Sequence, residues 1–155
     1  MAVAFGAIAI VASCNAAAPL VGGPSDAAPR SLDAAGSATP ISFRRDLRPL
    51  IARMGDPSGP GCRRCHYSTE ASHIGLDLGG LDLSTLGALR QGGGTSGKKI
   101  VVPFHPEESA IVQKLRGTYP YGTRMPKSGP PFWSEAEIEL MEAWIAQGAL
   151  GSDDE

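Results

Sequence analysis

Cys62, Cys65 and His66 lie in one five-residue stretch, Cys62-Arg63-Arg64-Cys65-His66, with the spacing C-x-x-C-H. Two thiols separated by two residues can both become thioethers to the vinyl groups of one porphyrin. An imidazole directly after the second thiol is then placed to take the iron, and this is the attachment pattern of a c-type haem. The same residues admit other chemistry. A redox-active dithiol also uses C-x-x-C, but it sits in a βαβ context, and no strand alternation surrounds Cys62. A zinc site could recruit Cys62, Cys65, His66 and His73. Zinc ribbons and fingers, however, supply a second regular ligand pair, and the one further cysteine is Cys14. The motif therefore points to haem first and zinc second.

Helices must position this stretch. Phe43, Leu47, Leu50, Ile51 and Met54 fall on one helical face, with Arg44, Arg45, Arg48 and Arg53 around the rest. Pro49 predicts a kink, or a short lead-in turn before a helix that begins at the proline. Gly55 to Gly61 is a loop that delivers the chain to Cys62. After His66, Gly-Leu-Asp-Leu occurs twice, at 75–78 and 80–83, and reads as a local duplication without function. Ser84 is expected to cap a short helix carrying Leu86 and Leu89, ended by Gly92. Residues 95–99 read as an exposed loop, and the apolar run 100–102 is too short to assign. Pro106, Glu107 and Glu108 open a third helix through Ile111, Val112 and Leu115, stopped by Gly117. An irregular, proline-rich stretch follows to Phe132. The last helix begins at the capping box Ser134-Glu135-Ala136-Glu137, with Trp133 stapled onto Ile138 and an inner face of Ile138, Met141, Trp144 and Ile145. The expected fold is all-α, about four helices with long loops around one haem.

The chain has 155 residues, one domain with extensions. Residues 2–12 are uncharged, the length of a signal-peptide core and too short for a bilayer span. Val11-Ala12-Ser13-Cys14 resembles a bacterial lipobox, so residues 1–13 are expected to be a signal peptide and Cys14 a lipidated N-terminus, although no Lys or Arg precedes the apolar run. Residues 14–40, rich in Ala, Pro, Gly and Ser without apolar periodicity, read as a tether with a reach of about 25–30 Å. The domain spans 41–149, and 150–155 is an acidic tail. A formal charge of −2 gives no whole-molecule attraction to nucleic acid or anionic membranes. Along the chain the charges separate. Arg44, Arg45, Arg48, Arg53, Arg63 and Arg64 face only Asp46 and Asp56 between residues 41 and 66, whereas 134–155 carries seven carboxylates and no base. That is a charge dipole, read either as two solvated faces or as a means of steering a redox partner.

Taken in order, Arg48-Pro49-Leu50-Ile51, the C-x-x-C-H motif, Gly80-Leu81-Asp82-Leu83-Ser84, Arg124-Met125-Pro126 and Ala143-Trp144-Ile145-Ala146-Gln147-Gly148-Ala149 resemble the planctomycete-type cytochrome c domain, and more broadly class I cytochrome c. The resemblance covers 41–149. It implies crossed first and last helices, with Phe43 and Leu47 meeting Trp144. It also implies thioethers at Cys62 and Cys65, His66 as proximal ligand and Met125 as distal ligand. The residues themselves support Met125, which lies in a Pro-flanked loop 59 residues after His66, while Met54 and Met141 read as core filler. His73 and His105 remain rival ligands.

The expected function is a one-electron carrier with one covalent haem c, not an enzyme, since no distal acid-base pair is evident. It would be exported to the periplasmic or surface side of a bacterial envelope, lipid-anchored, and serve a redox protein that docks through an acidic face. Alternatives are a haem-based gas or redox sensor with an open distal site and, behind it, a zinc-binding module.

Overall fold

Pro49 decides how the first helix is wound. In the computed structural model, which describes residues 39–55 and 60–155, Phe43–Leu47 is a π-turn in which the Arg48 N–H reaches Phe43 O. It runs directly into α1 (Arg48–Ile51), with Pro49 in its first turn. Proline has no N–H to give to the preceding turn, and a π-turn followed by a restart accommodates that loss. Ser42 caps the start by accepting from Arg45 N–H. Phe43, Leu47 and Ile51 are buried as the periodicity predicts. Met54 is not core filler: α1 ends at Ile51, and Met54 emerges 43% exposed.

Five further α-helices follow: α2 (Arg63–His66), α3 (Ile74–Gly79), α4 (Leu86–Gln91), α5 (Ala110–Arg116) and α6 (Glu135–Ala146). Single 3₁₀ turns occupy Gly97–Ile100 and Pro106–Glu108. No strand occurs among the described residues, so the fold is all-α as expected, with its helices cut shorter. α3 was not anticipated, because a single copy of Gly-Leu-Asp-Leu carries no helical period. The helix expected from Pro106 to Gly117 is split by Ser109, which is fully buried and extended. Its Oγ accepts from Val102 N–H at 2.8 Å and donates to His105 O at 2.9 Å, replacing the bonds of a continuous helix. Thr85, not Ser84, caps α4, with its Oγ1 accepting from Ala88 N–H, while Ser84 N–H is held by Asp82.

α6 organises the core. Its capping box is complete: Ser134 Oγ accepts from Glu137 N–H, and Glu137 accepts from Ser134 N–H. Met141, Trp144 and Ile145 are buried from end to end of its inner face. Trp144 meets Phe43 with ring centroids 5.3 Å apart, and Ile41 N–H donates to Gln147 Oε1, so the first and last helices cross as the resemblance implied. Judged by truncation to alanine, each such buried aromatic contributes about 3–5 kcal/mol. Residues 150–155 do more than trail from α6. Asp153 O and Glu155 O accept from Gly87 and Leu86 N–H, completing the N-terminus of α4.

Several of the arginines are paired within the fold. Arg53 pairs with Glu137 at 2.6 Å, Arg63 with Glu70, Arg45 with Asp46, and Arg116 with both Glu135 and Glu142. Of these pairs, Arg53–Glu137 is the one that joins the basic segment to the acidic one.

Candidate functional site

The end of α1 hands the chain to the cysteine motif through backbone bonds. Cys62 N–H donates to Ile51 O and Arg63 N–H to Arg53 O, the latter at 3.1 Å. Gly61 makes this approach possible, because a Cβ there would stand 2.2 Å from Arg53 O. α2 is then a single turn closed by His66 N–H on Cys62 O at 2.9 Å, so Cys62, Cys65 and His66 are carried by one rigid unit.

His66 is fixed twice. Its Nδ1 lies 3.0 Å from Leu81 O, and its own carbonyl accepts from Leu83 N–H at 2.8 Å. A carbonyl only accepts, so Nδ1 carries the proton and Nε2 keeps its lone pair. Burial lowers the pKa of the ring against the smaller opposing influence of Leu81 and Asp82, which leaves a neutral imidazole with a free Nε2. This is the form and the outer support expected of a metal-ligating histidine. The two Gly-Leu-Asp-Leu copies are therefore not idle. The second supplies the carbonyl that orients His66, and the first forms α3, whose Gly75 lies so close to the ring that a Cβ would be 2.7 Å from Cε1.

Cys62, Cys65 and His66 open onto a cavity of about 460 Å³. Its walls are mainly apolar, from Ile51, Leu81, Leu83, Ile100, Ile111 and Leu115, with Ile74 and Leu78 of α3 at the exposed rim. Met125 lines the same cavity from the irregular loop, as do Tyr119, Tyr121 and Trp133. Met125 N–H donates to Lys114 O at 2.9 Å, so α5 holds the loop in place. His73 and His105 do not reach the cavity wall. His73 pairs with Asp77 at 2.9 Å, and His105 is exposed beside Glu107.

The zinc alternative finds no support in this arrangement. Cys62, Cys65, His66 and His73 do not converge; the single group of potential ligands found among the described residues is the exposed His105, Glu107 and Glu108. A redox-active dithiol fits no better. The two cysteines are not joined in a disulfide, and although Cys62 is only half-buried as a residue, burial and the neighbouring Cys65 push its thiol up to about 12, opposite to the lowered value of a reactive thiol.

The residues present do fit a haem. The cavity is apolar and within the size range of cofactor sites. Two sulfurs and an imidazole lie on one wall and a thioether elsewhere on it. Trp133, 3% exposed, lines the cavity with its Nε1–H lacking an acceptor among the described residues, a donor that a cofactor carboxylate would satisfy. The α3 residues were the contributions least visible in the sequence. Their signal was an apolar or small residue next to a turn, which packing explains equally well. Cys14 and the expected signal peptide fall outside the described residues, as does nearly all of the expected tether. No helix among the described residues is long and apolar enough to cross a membrane.

Residues 62–129 match the family described as planctomycete cytochrome C. No curated protein and no solved structure gives a significant match.

Proposed function

Because the chain carries a planctomycete-type cytochrome c domain, and with it haem-based redox chemistry, we propose that it is a monohaem, one-electron carrier working outside the cytoplasm. When bound, haem c supplies a centre that takes up and returns one electron. In this reading Cys62 and Cys65 hold the porphyrin as thioethers, His66 is the proximal ligand through Nε2, and Met125 is the distal ligand. Leu81 O keeps the His66 proton on Nδ1 and stops the ring from turning. The apolar walls exclude water, and with a thioether ligand they favour the reduced state and raise the potential above that of a two-histidine site. With His66 and Met125 both supplied by the protein, little rearrangement of the chain would be needed during transfer.

One observation carries this reading: Cys62, Cys65, His66 and Met125 all line a single, mainly apolar cavity, whereas His73 and His105 do not. The test is the absorption spectrum of protein produced with a haem-attachment system, first oxidised and then reduced with dithionite, alongside haem quantitation after denaturation. One covalent haem per chain, and a reduced form that does not bind carbon monoxide readily, are expected. Ready binding of carbon monoxide would replace the carrier with a sensor, and protein without covalent haem would overturn both.

Export and lipidation at Cys14 complete the proposal, since covalent haem attachment in bacteria takes place outside the cytoplasm. Metabolic labelling with a fatty acid should mark the wild type and not Cys14→Ser. The partner proposed is a redox protein with an acidic docking face. The transfer rate with that partner should fall as the salt concentration rises, and a rate independent of salt would remove the acidic-face reading.

A further inference from the structure

The loop that carries Met125 has no helix or strand of its own from 118 to 134, and it contains Pro120, Pro126, Pro130 and Pro131. Its attachment to the rest of the molecule is concentrated on the last turn of α5. The Lys114 carbonyl accepts from Met125 N–H at 2.9 Å. The side chain of the same residue turns back across the loop. Its Nζ donates to Tyr121 O and to Thr123 O, the latter at 3.3 Å, and sits 4.9 Å from the centroid of the Tyr119 ring. Gly122, at φ +70°, lets the loop bend around the ammonium; a Cβ there would lie 3.0 Å from Nζ. One residue further along α5, Leu115 O accepts from Arg124 Nε at 2.7 Å. Lys114 thus grips the loop on both sides of Gly122 with its side chain and at Met125 with its backbone.

We propose that Lys114 is a positioning residue for the distal site: its ammonium folds the 119–125 loop so that the Met125 thioether is presented to the cofactor cavity. This rests on the reading of Met125 as distal ligand. An ammonium offers three donors that can be directed to separate acceptors, and the backbone carbonyls of an irregular loop are the acceptors such a segment leaves over. Without it, two carbonyls and the turn at Gly122 lose their common partner. The loop then samples arrangements in which Met125 stands away from the iron. A competing ligand from solution reads that population directly, because its apparent affinity scales with the fraction of molecules whose distal position is open.

The test uses the haem-loaded protein in its oxidised form, titrated with imidazole and followed by the shift of the main haem absorption band, for wild type, Lys114→Met, Lys114→Arg and Met125→Ala. Lys114→Met keeps the apolar stem but removes all three donors. It should bind imidazole at least about tenfold more tightly than wild type, towards the limit set by Met125→Ala, while Lys114→Arg stays near wild type. A side chain that only adds stability would change the unfolding midpoint of Lys114→Met and leave its imidazole affinity alone, and that result would overturn the proposal. If Lys114→Met does not accumulate, Lys114→Gln, with a shorter reach, is read in the same way. If Met125→Ala itself binds imidazole no more tightly than wild type, it is the distal-ligand reading that fails, and the two failures are distinct.

Discussion

Cys62, Cys65 and His66 share one helical turn, whereas Met125 reaches the same cavity from an irregular loop 59 residues further along the chain. On the first side the three residues are held by the bonds of a single turn. His66 N–H bonds to Cys62 O, and Leu81 and Leu83 close over the histidine from fifteen and seventeen residues away. On the second side the thioether is carried by a segment with no helix or strand of its own. Its register comes from Lys114 and Leu115 on α5, a helix placed by packing against α6. A ligand set by local geometry persists through small disturbances of the fold, while one delivered by a loop depends on the whole domain. The histidine wall is therefore built as an anchor and the methionine wall as a closure.

The sharpest way to break this comparison is to remove one proposed ligand from each wall. Met125→Ala should leave the covalent haem content unchanged and the domain folded, while opening the iron to carbon monoxide and imidazole. His66→Ala should reduce the yield of folded, haem-loaded protein severely, because the turn loses both the proposed ligand and its bond to Leu81 O. Haem quantitation and carbon monoxide binding on the two variants decide the matter. Equal losses of haem would show that the walls are equivalent.

A smaller effect is expected at Gly75, which packs on the His66 ring. Gly75→Ala would gain about 0.5–1 kcal/mol of helix propensity in α3. The new Cβ, however, would lie 2.7 Å from His66 Cε1 and 2.8 Å from both Cys65 O and His66 Nε2, and none of these is the loose end of a flexible side chain. Overpacking of this kind costs about 1–3 kcal/mol, so the substitution should be destabilising on balance. Thermal unfolding of the haem-loaded variant measures it. A raised midpoint would mean that α3 yields freely and that the histidine wall is less rigid than described.

The two walls also differed in how far they could be read from sequence. The C-x-x-C-H turn was legible because its chemistry and its structure share one local pattern. The capping box at Ser134 and the Phe43–Trp144 crossing were legible because short-range hydrogen bonding and a 3.6-residue period leave direct marks. The Gly-Leu-Asp-Leu pair was not. The same four residues make a helix at 75–78 and a non-helical segment at 80–83, and both copies end up against His66. Ser109 was hidden for a related reason, since its partners Val102 and His105 become neighbours only after folding. Met54 looked like core by periodicity, which cannot report where a helix stops. The charges were legible only in part, because the tie between Arg53 and Glu137 joins segments that lie far apart along the chain.

That pairing sets the last and smallest difference between the walls. Arg53, whose carbonyl bonds Arg63 N–H at the start of the histidine turn, holds Glu137 of α6 at 2.6 Å. Burial pushes the Glu137 carboxyl up, but the Ser134 N–H and the Arg53 guanidinium outweigh it and hold the group below the ordinary carboxylate value of 4.5. A carboxyl depressed in the folded state stabilises fully above its unfolded value, and the contribution fades as pH falls through the folded one. The histidine wall should thus lose a tie below about pH 4.5. The methionine loop is held through backbone carbonyls, which do not titrate there. Stability measured by denaturant between pH 3 and 7 should fall less steeply on acidification in Glu137→Gln than in wild type, with the variant slightly the weaker at pH 7. Parallel curves would mean that the Arg53–Glu137 pair contributes nothing to the stability of the histidine wall.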